Sequence, residues 1–141
     1  MLNNINNSNE NYFELDNQNI KLSVVVPCFN EIKTLDKIIN RIKNSPLNKE
    51  IIIVDDGSTD GSREYLSYYN DSEIEVIFHE INQGKGAAIR SGIKKASGDI
   101  LIIQDADLEY DPRDYKKLLK PFFETEADIV YGSRFLGGEY I

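Results

Sequence analysis

The sequence is poor in the residues that would make several explanations easy. Cysteine occurs once, at Cys28, so no disulfide can form within the chain and a reducing compartment is expected. With neither a second cysteine nor a histidine near it in sequence, Cys28 is not expected to be a nucleophile or a metal ligand. Histidine also occurs once, at His79, closing a short apolar run. It reads as a partly buried, hydrogen-bonded side chain rather than a catalytic base. Basic residues are outnumbered, 16 Lys and Arg against 24 Asp and Glu, for a net charge of -8. Such a surface repels phosphate backbones, so nucleic acid is not an expected partner. A broad electrostatic grip on anionic lipid is disfavoured too. Any anionic ligand must be held locally, by a cation, a helix N-terminus or a few Arg and Lys. No apolar stretch approaches the roughly 20 residues of a membrane-spanning helix, and the N-terminus lacks a charged-then-apolar signal layout. A cytoplasmic location is expected, with membrane contact left open. Internal repeats are absent. So are the Gly-x-x-x-x-Gly-Lys-Ser/Thr and Gly-x-Gly-x-x-Gly phosphate-binding signatures.

What is present falls into two parts. Eight of residues 1–19 are Asn, a compositional bias that predicts a disordered tail over residues 1–20. Residues 21–141 are expected to form one domain, with short apolar runs alternating with helical periodicity. Strands are predicted at Leu22–Val26, Ile51–Val54, Ile74–Phe78, Ile100–Ile103 and Ile129–Tyr131. The wholly apolar run Ile100–Ile103 predicts a buried central strand. Leu35, Ile38, Ile39 and Ile42 are spaced as one face of a helix. Helices are also predicted over Asp60–Tyr69, around Ile89, Ile93 and Ala96, and after Asp111-Pro112, with Asp as the cap and Pro in the first turn. In that last helix Tyr115, Leu118, Leu119, Phe122 and Phe123 line one face. Apolar strands alternating with helices predict an α/β fold with a mostly parallel sheet covered on both faces. Ligands then bind beyond the carboxyl ends of the strands.

The polar and glycine residues gather at those ends: Pro27 to Glu31, Asp55 to Gly61, Asn82 to Gly86, Asp105 to Glu109, and Gly132 to Arg134. In extended chain Asp105 and Asp107 point the same way. Two carboxylates ending a strand can hold a hard divalent cation, Mg2+ or Mn2+. Such a cation can stabilise a nucleoside diphosphate as a leaving group. Glu109, one further step along, can add a ligand directly or through water. Without its place after an apolar run, the Asp-x-Asp would read as a solvated acidic turn before Pro112. Asp55 and Asp56, followed by Gly-Ser, suit acceptance of hydrogen bonds from a base or ribose. Capping by Thr59 or Asp60 accounts for part of that segment but leaves Asp56 unexplained. Two glycines around Lys85, opening a helix, read as a phosphate cradle or as a tight turn. Arg134 reads as a surface residue or as a phosphate partner.

Taken together, Val-Val-Pro-Cys-Phe-Asn-Glu, Val-Asp-Asp-Gly-Ser-Thr-Asp-Gly-Ser, Asn-Gln-Gly-Lys-Gly-Ala-Ala, Gln-Asp-Ala-Asp-Leu-Glu-Tyr and Tyr-Gly-Ser-Arg-Phe resemble glycosyltransferase family 2. The similarity is greatest to dolichyl-phosphate or polyprenyl-phosphate mannosyl- and glucosyltransferases, and it covers Leu22 to Gly138. It implies the GT-A fold. It implies that Pro27, Phe29 and Glu31 line the nucleotide, and that Val54 and Asp56 contact base and ribose. Asp105, Ala106 and Asp107 match the Asp-x-Asp segment, with both acids on the metal and diphosphate and Glu109 as a further metal ligand. Asp107 and Arg134 match the catalytic positions, and Arg134 and Lys85 face the donor or acceptor phosphates. Family members usually carry Tyr where this chain has Phe29, which keeps ring packing and loses one hydrogen bond. The implied reaction is metal-dependent, inverting transfer of mannose or glucose from GDP-mannose or UDP-glucose to polyprenyl or dolichyl phosphate. Catalytic domains of the family continue well past Gly138. The resemblance therefore also implies a truncated domain, completed by a membrane-embedded partner or a second half-chain. The alternatives are a donor-binding module without turnover and a family 2 transferase that extends a polysaccharide or glycan.

Overall fold

The computed structural model describes residues 19–125 and 127–128. Most of the Asn-rich stretch, the strand expected at 129–131, and Arg134 lie outside the described residues.

Four strands and four helices alternate: β1 (Leu22–Cys28), α1 (Ile32–Lys43), β2 (Lys49–Asp55), α2 (Ser62–Ser67), β3 (Ile74–Phe78), α3 (Lys85–Lys95), β4 (Ile100–Ile103) and α4 (Tyr115–Glu124). A single 3-10 turn, Pro112–Asp114, leads into α4. The strands form one sheet in the order β3-β2-β1-β4, and every pairing is parallel. Strand order reverses between β1 and β4, so the loops leaving those strands diverge and open a crevice at the carboxyl end of the sheet.

The two faces are covered differently. Leu22, Val24 and Val26 of β1, with Ile51 and Ile53 of β2, pack against α1, α2 and α4. Helix α1 supplies Leu35, Ile38, Ile39 and Ile42, all fully buried. Each such side chain contributes about 2 kcal/mol of hydrophobic stabilisation. The opposite face is thinner: Val25, Ile52 and Val54 meet Ala88 of α3. Of the residues that mark this helix in the sequence, Ala96 packs against this cluster and Ile89 is half-buried, whereas Ile93 faces outward. Ile93 is 47% exposed, while Ala88 and Gly92 are the buried positions of α3. The reason is distance: a Cβ on Gly92 would overlap the side chain of Val25. Only small residues let this helix lie so close to the sheet.

A second correction concerns β4. Its apolar run predicts a central strand, but among the described residues β4 pairs with β1 alone and forms an edge. Burial alternates along it, and Leu101 and Ile103 are 37% and 40% exposed. Both point to the α3 side, which α3 covers only over β1 and β2. Helix α2 is also shorter than expected, and the buried residues of α4 narrow to Tyr115 and Leu119. Asp111 does cap the turn before α4, accepting from the Arg113 amide at 2.9 Å. Among the described residues no helix is long and apolar enough to cross a membrane.

Polar contacts clasp both ends of the sheet. At the amino end, Glu50 accepts from the Ser23 hydroxyl at 2.6 Å, the Ser97 amide at 2.6 Å and the Lys21 ammonium at 3.1 Å. Burial raises its pKa, but these donors outweigh burial and hold it at about 2, against an ordinary 4.5. At the carboxyl end, Gly57 sits with φ 76° directly beneath the chain at residues 81–82. A Cβ there would lie 2.6 Å from the Asn82 nitrogen.

Two predictions follow from these clasps. A depressed carboxylate adds stability that is present above its unfolded pKa and lost as pH falls towards its folded one. Glu50→Gln should therefore lose the part of wild-type acid destabilisation that falls between about 4.5 and about 2. Urea titrations of both proteins across that window check this, and parallel pH profiles would contradict it. Gly57→Ala should cost about 2 kcal/mol, from left-handed strain plus overlap with backbone that cannot yield. An unchanged urea midpoint would contradict that.

Candidate functional site

The four described segments of polar and glycine residues do meet at one edge, as the sequence predicts. How they are held is less visible from sequence. The loop leaving β2 caps the helix that follows β1. The Asn30 amide donates to the Ser58 hydroxyl at 3.0 Å, and the Glu31 amide to the Ser62 hydroxyl at 3.2 Å. The Ile32 amide donates to Asp60 Oδ2 at 3.1 Å. These are orphan donors at the start of α1, satisfied from another loop rather than by a local cap. In return Asn30, at φ 53°, accepts from the Thr59 amide at 2.7 Å. Asp60 also accepts from the Ser62 amide at the start of α2. Much of the Asp-Gly-Ser-Thr-Asp-Gly-Ser run is thus scaffolding for the Phe29–Glu31 wall.

The two adjacent acids after β2 have separate tasks. Asp55 continues the strand alternation toward the α1 and α2 side. It is fully buried, with Arg63 Nη1 3.4 Å from its Oδ2 and no hydrogen-bond partner on Oδ1. Arg63 also donates to the His79 carbonyl and lies 5.0 Å from the Phe78 ring centroid. Asp56 turns to the other side. Its Oδ1 accepts from His79 Nδ1 at 2.8 Å and from the Gln83 amide at 2.9 Å, and its Oδ2 from the Gly84 amide at 2.9 Å. Burial raises its pKa, but the Gln83, His79 and Gly84 donors outweigh burial and lower it. An ionised Asp56 only accepts, so His79 carries its proton on Nδ1. His79 Nε2 lies 2.8 Å from the Ser91 hydroxyl. His79 is therefore the buried, hydrogen-bonded residue that the sequence suggests. Through it and the two amides, Asp56 fixes the Asn82–Gly86 turn at the start of α3. One acceptor position on Oδ2 is left for a ligand.

The Asp105–Asp107 turn is anchored from behind. Gln104, 1% exposed, donates to the Asp105 and Tyr110 carbonyls and accepts from the Tyr115 hydroxyl at 2.8 Å. Thr34 of α1 donates to the Ala106 carbonyl at 2.6 Å. Asp107 accepts from the Glu109 amide at 3.1 Å, closing a tight turn in which Leu108 has φ 69°. Asp105 pairs with Lys85 Nζ at 2.5 Å.

The walls enclose a crevice of about 310 Å³. Of the residues singled out from sequence, Pro27, Phe29 and Glu31 line one side of it. Asp56 and Lys85 line a second side, and Asp105, Ala106 and Asp107 a third. Phe29 is 46% exposed, its ring free to pack against a planar group. Two singled-out residues are elsewhere. Val54 is fully buried with Val25 and Ile52 beneath α3, so its side chain does not reach the crevice. Glu109 is not among the lining residues. Cys28 and Ala88 line the crevice without having been singled out as binding residues. Burial, with the Asp55 charge second, pushes the Cys28 thiol up to about 12, so Cys28 serves as packing rather than as a nucleophile.

Charge in the crevice is unbalanced. Glu31 has its pKa raised, first by burial and then by the Asp107 carboxylate, with Asp60 and Asp105 adding to the push. Among the described residues no three His, Cys, Asp or Glu side chains converge as a complete metal cage. Asp105 and Asp107, two carboxylates on one wall with Glu31 on another, are the residues that could hold a hard divalent cation taking its remaining ligands from phosphate and water.

The comparisons with known proteins agree with this geometry. The description Glycosyl transferase family 2 matches residues 23–139. The dolichol-phosphate mannosyltransferase of Pyrococcus furiosus is 35% identical over 122 residues, covering 84% of this chain and 34% of that protein. The dodecaprenyl-phosphate galacturonate synthase of Rhizobium johnstonii is 32% identical, covering 83% of this chain and 37% of that protein. The chain thus spans about a third of the length of these relatives. Among solved structures, glucosyl-3-phosphoglycerate synthase from Mycobacterium tuberculosis, in complex with Mn2+, UDP and glucosyl-3-phosphoglycerate, superposes with a TM-score of 0.66 at 28% identity. That match covers 81% of this chain and 44% of the synthase. The mannosyltransferase PcManGT from Pyrobaculum calidifontis, in complex with GDP-Man and Mn2+, gives 0.57 at 27% identity over 66% of this chain and 29% of its own. With the parallel sheet, the flanking helices and the Asp-x-Asp crevice in place, the chain belongs to glycosyl transferase family 2 and has a GT-A fold.

Proposed function

We propose that this chain binds a nucleoside-diphosphate sugar through a divalent cation and serves the transfer of that sugar to a polyprenyl or dolichyl phosphate. The observation that carries this reading is the meeting of Asp105 and Asp107 with Phe29, Glu31, Asp56 and Lys85 in one crevice at the strand ends. The relatives whose names specify a dolichol or dodecaprenyl phosphate support the acceptor class. The Mn2+ complexes of two structural neighbours support the cation. GDP-mannose and UDP-glucose are the proposed donors, and Mg2+ or Mn2+ the ion.

Each residue has a role in this reading. Phe29 and Pro27 pack on the base, and the open acceptor position of Asp56 takes a base or ribose hydrogen. Asp105 and Asp107 hold the cation, which supplies charge stabilisation to the departing diphosphate. Glu109 takes part through water or from outside the crevice. Lys85 faces the diphosphate, and Arg134 the donor or acceptor phosphates. The acceptor phosphate, with its second pKa near 6, is already mostly anionic at about pH 7 and needs no strong protein base. Positioning and charge screening are what the protein must supply. Displacement at the anomeric carbon, opposite the diphosphate, inverts configuration. The site acts at the cytoplasmic face of a membrane, with acceptor residues supplied by a membrane-embedded partner or a further stretch of polypeptide.

A second reading is a donor-binding module. In that reading it binds the donor but does not turn it over alone.

Calorimetry with GDP-mannose and UDP-glucose, each with and without Mn2+, tests the binding step. Wild type should bind one donor in a metal-dependent way, and Asp107→Asn or Asp105→Asn should weaken that binding by at least about 10-fold. Unchanged metal-dependent binding in both variants would refute the assignment. Transfer of labelled sugar to polyprenyl phosphate then separates the two readings.

A further inference from the structure

The Lys85–Asp105 pair is not needed to hold the fold. The Lys85 side chain is 61% exposed and Asp105 is 25% exposed. Both sit on segments fixed by other contacts: the start of α3 by Asp56, and the Asp-x-Asp turn by Gln104 and Thr34. Yet the pair puts the ammonium on one of the two carboxylates assigned above to the cation. An ammonium and a divalent ion drawn to the same carboxylate repel each other, so Lys85 and the ion compete for Asp105.

Building on that assignment, we propose that Lys85 is a tethered counter-cation. It neutralises Asp105 while the crevice is empty and gives way to the metal only when a diphosphate arrives to take its charge. The charges argue for this exchange. Asp105, Asp107 and Glu31 line the crevice, and Lys85 is the only Lys or Arg among the described residues lining it. A diphosphate arriving alone meets a surplus of carboxylates. A divalent ion arriving alone must compete with the ammonium already there, with no diphosphate to accept the Lys85 charge. When both arrive, the metal takes Asp105, and Lys85 swings from the start of α3 onto the diphosphate. Gly84, immediately before Lys85, has open space around its α-carbon, so the turn does not obstruct a phosphate there. Metal and diphosphate therefore bind with positive linkage, and by thermodynamic reciprocity each raises the affinity of the other by the same factor. Because the pair is solvated, the eviction cost is moderate rather than prohibitive.

Titration calorimetry on the full chain tests this, using Mn2+ alone, GDP and UDP alone, and each at saturating concentration of the other. In wild type, saturating diphosphate should tighten Mn2+ binding by about 10-fold or more. In Lys85→Met, Mn2+ alone should bind about 5-fold tighter than to wild type, and the coupling factor should fall by at least as much. Lys85→Arg, which keeps a tethered cation, should stay close to wild type. If Lys85→Met bound Mn2+ alone no more tightly than wild type does, or kept the full coupling, the counter-cation role would be overturned while the metal site stood. If wild type bound no Mn2+ even with GDP or UDP present, both the metal site and this role would fall.

Discussion

The carboxylate of Asp56 is the contact on which the crevice depends. Its oxygens gather a histidine side chain and two backbone amides from a turn more than twenty residues away in sequence. That turn places Lys85 at the head of α3 and sets one wall of the binding edge. A buried acid with three donors is worth more than the same acid in water, because the unpaired alternative is costly in a low dielectric. Asp56 also lines the crevice that it helps to build.

Around that contact the site is built by exchange between loops. The β2 loop caps α1, α1 supplies Thr34 to the Asp-x-Asp turn, and Gln104 and Tyr115 hold the turn from the core side. Each of these loops is held in part by residues of another. A preformed site of this kind spends little ordering entropy when a ligand arrives. The part left unbalanced is charge: the carboxylates of the crevice face, among the described residues, a single lysine.

Much of this was legible in the sequence. The alternation of apolar runs with helical spacing identified the parallel sheet, and the spacing of Leu35, Ile38, Ile39 and Ile42 identified the buried face of α1. The polar segments at the strand ends identified the edge at which Asp56, Lys85, Asp105 and Asp107 line one crevice. What was not legible has physical reasons. The exposure of Ile93 was not legible, because close approach to Val25 favours Ala88 and Gly92 on the covered face and hydropathy is blind to distance. Strand β4 looked central because its residues are apolar, yet partners beyond it are not among the described residues. Val54 matched a binding position by resemblance, but strand alternation turns its side chain under α3. The capping of α1 from the β2 loop could not be read from local signals, since cap and helix start lie about thirty residues apart.

The most direct measurement is paramagnetic broadening on isotope-labelled chain, with Mn2+ added together with a nucleoside diphosphate. The account predicts that amide signals of Phe29, Gly84 and Ala106 broaden first, while those of Glu50 and Ser97, at the opposite end of the sheet, stay sharp. Broadening centred on the Glu50 end, or spread evenly over the acidic surface, would contradict it.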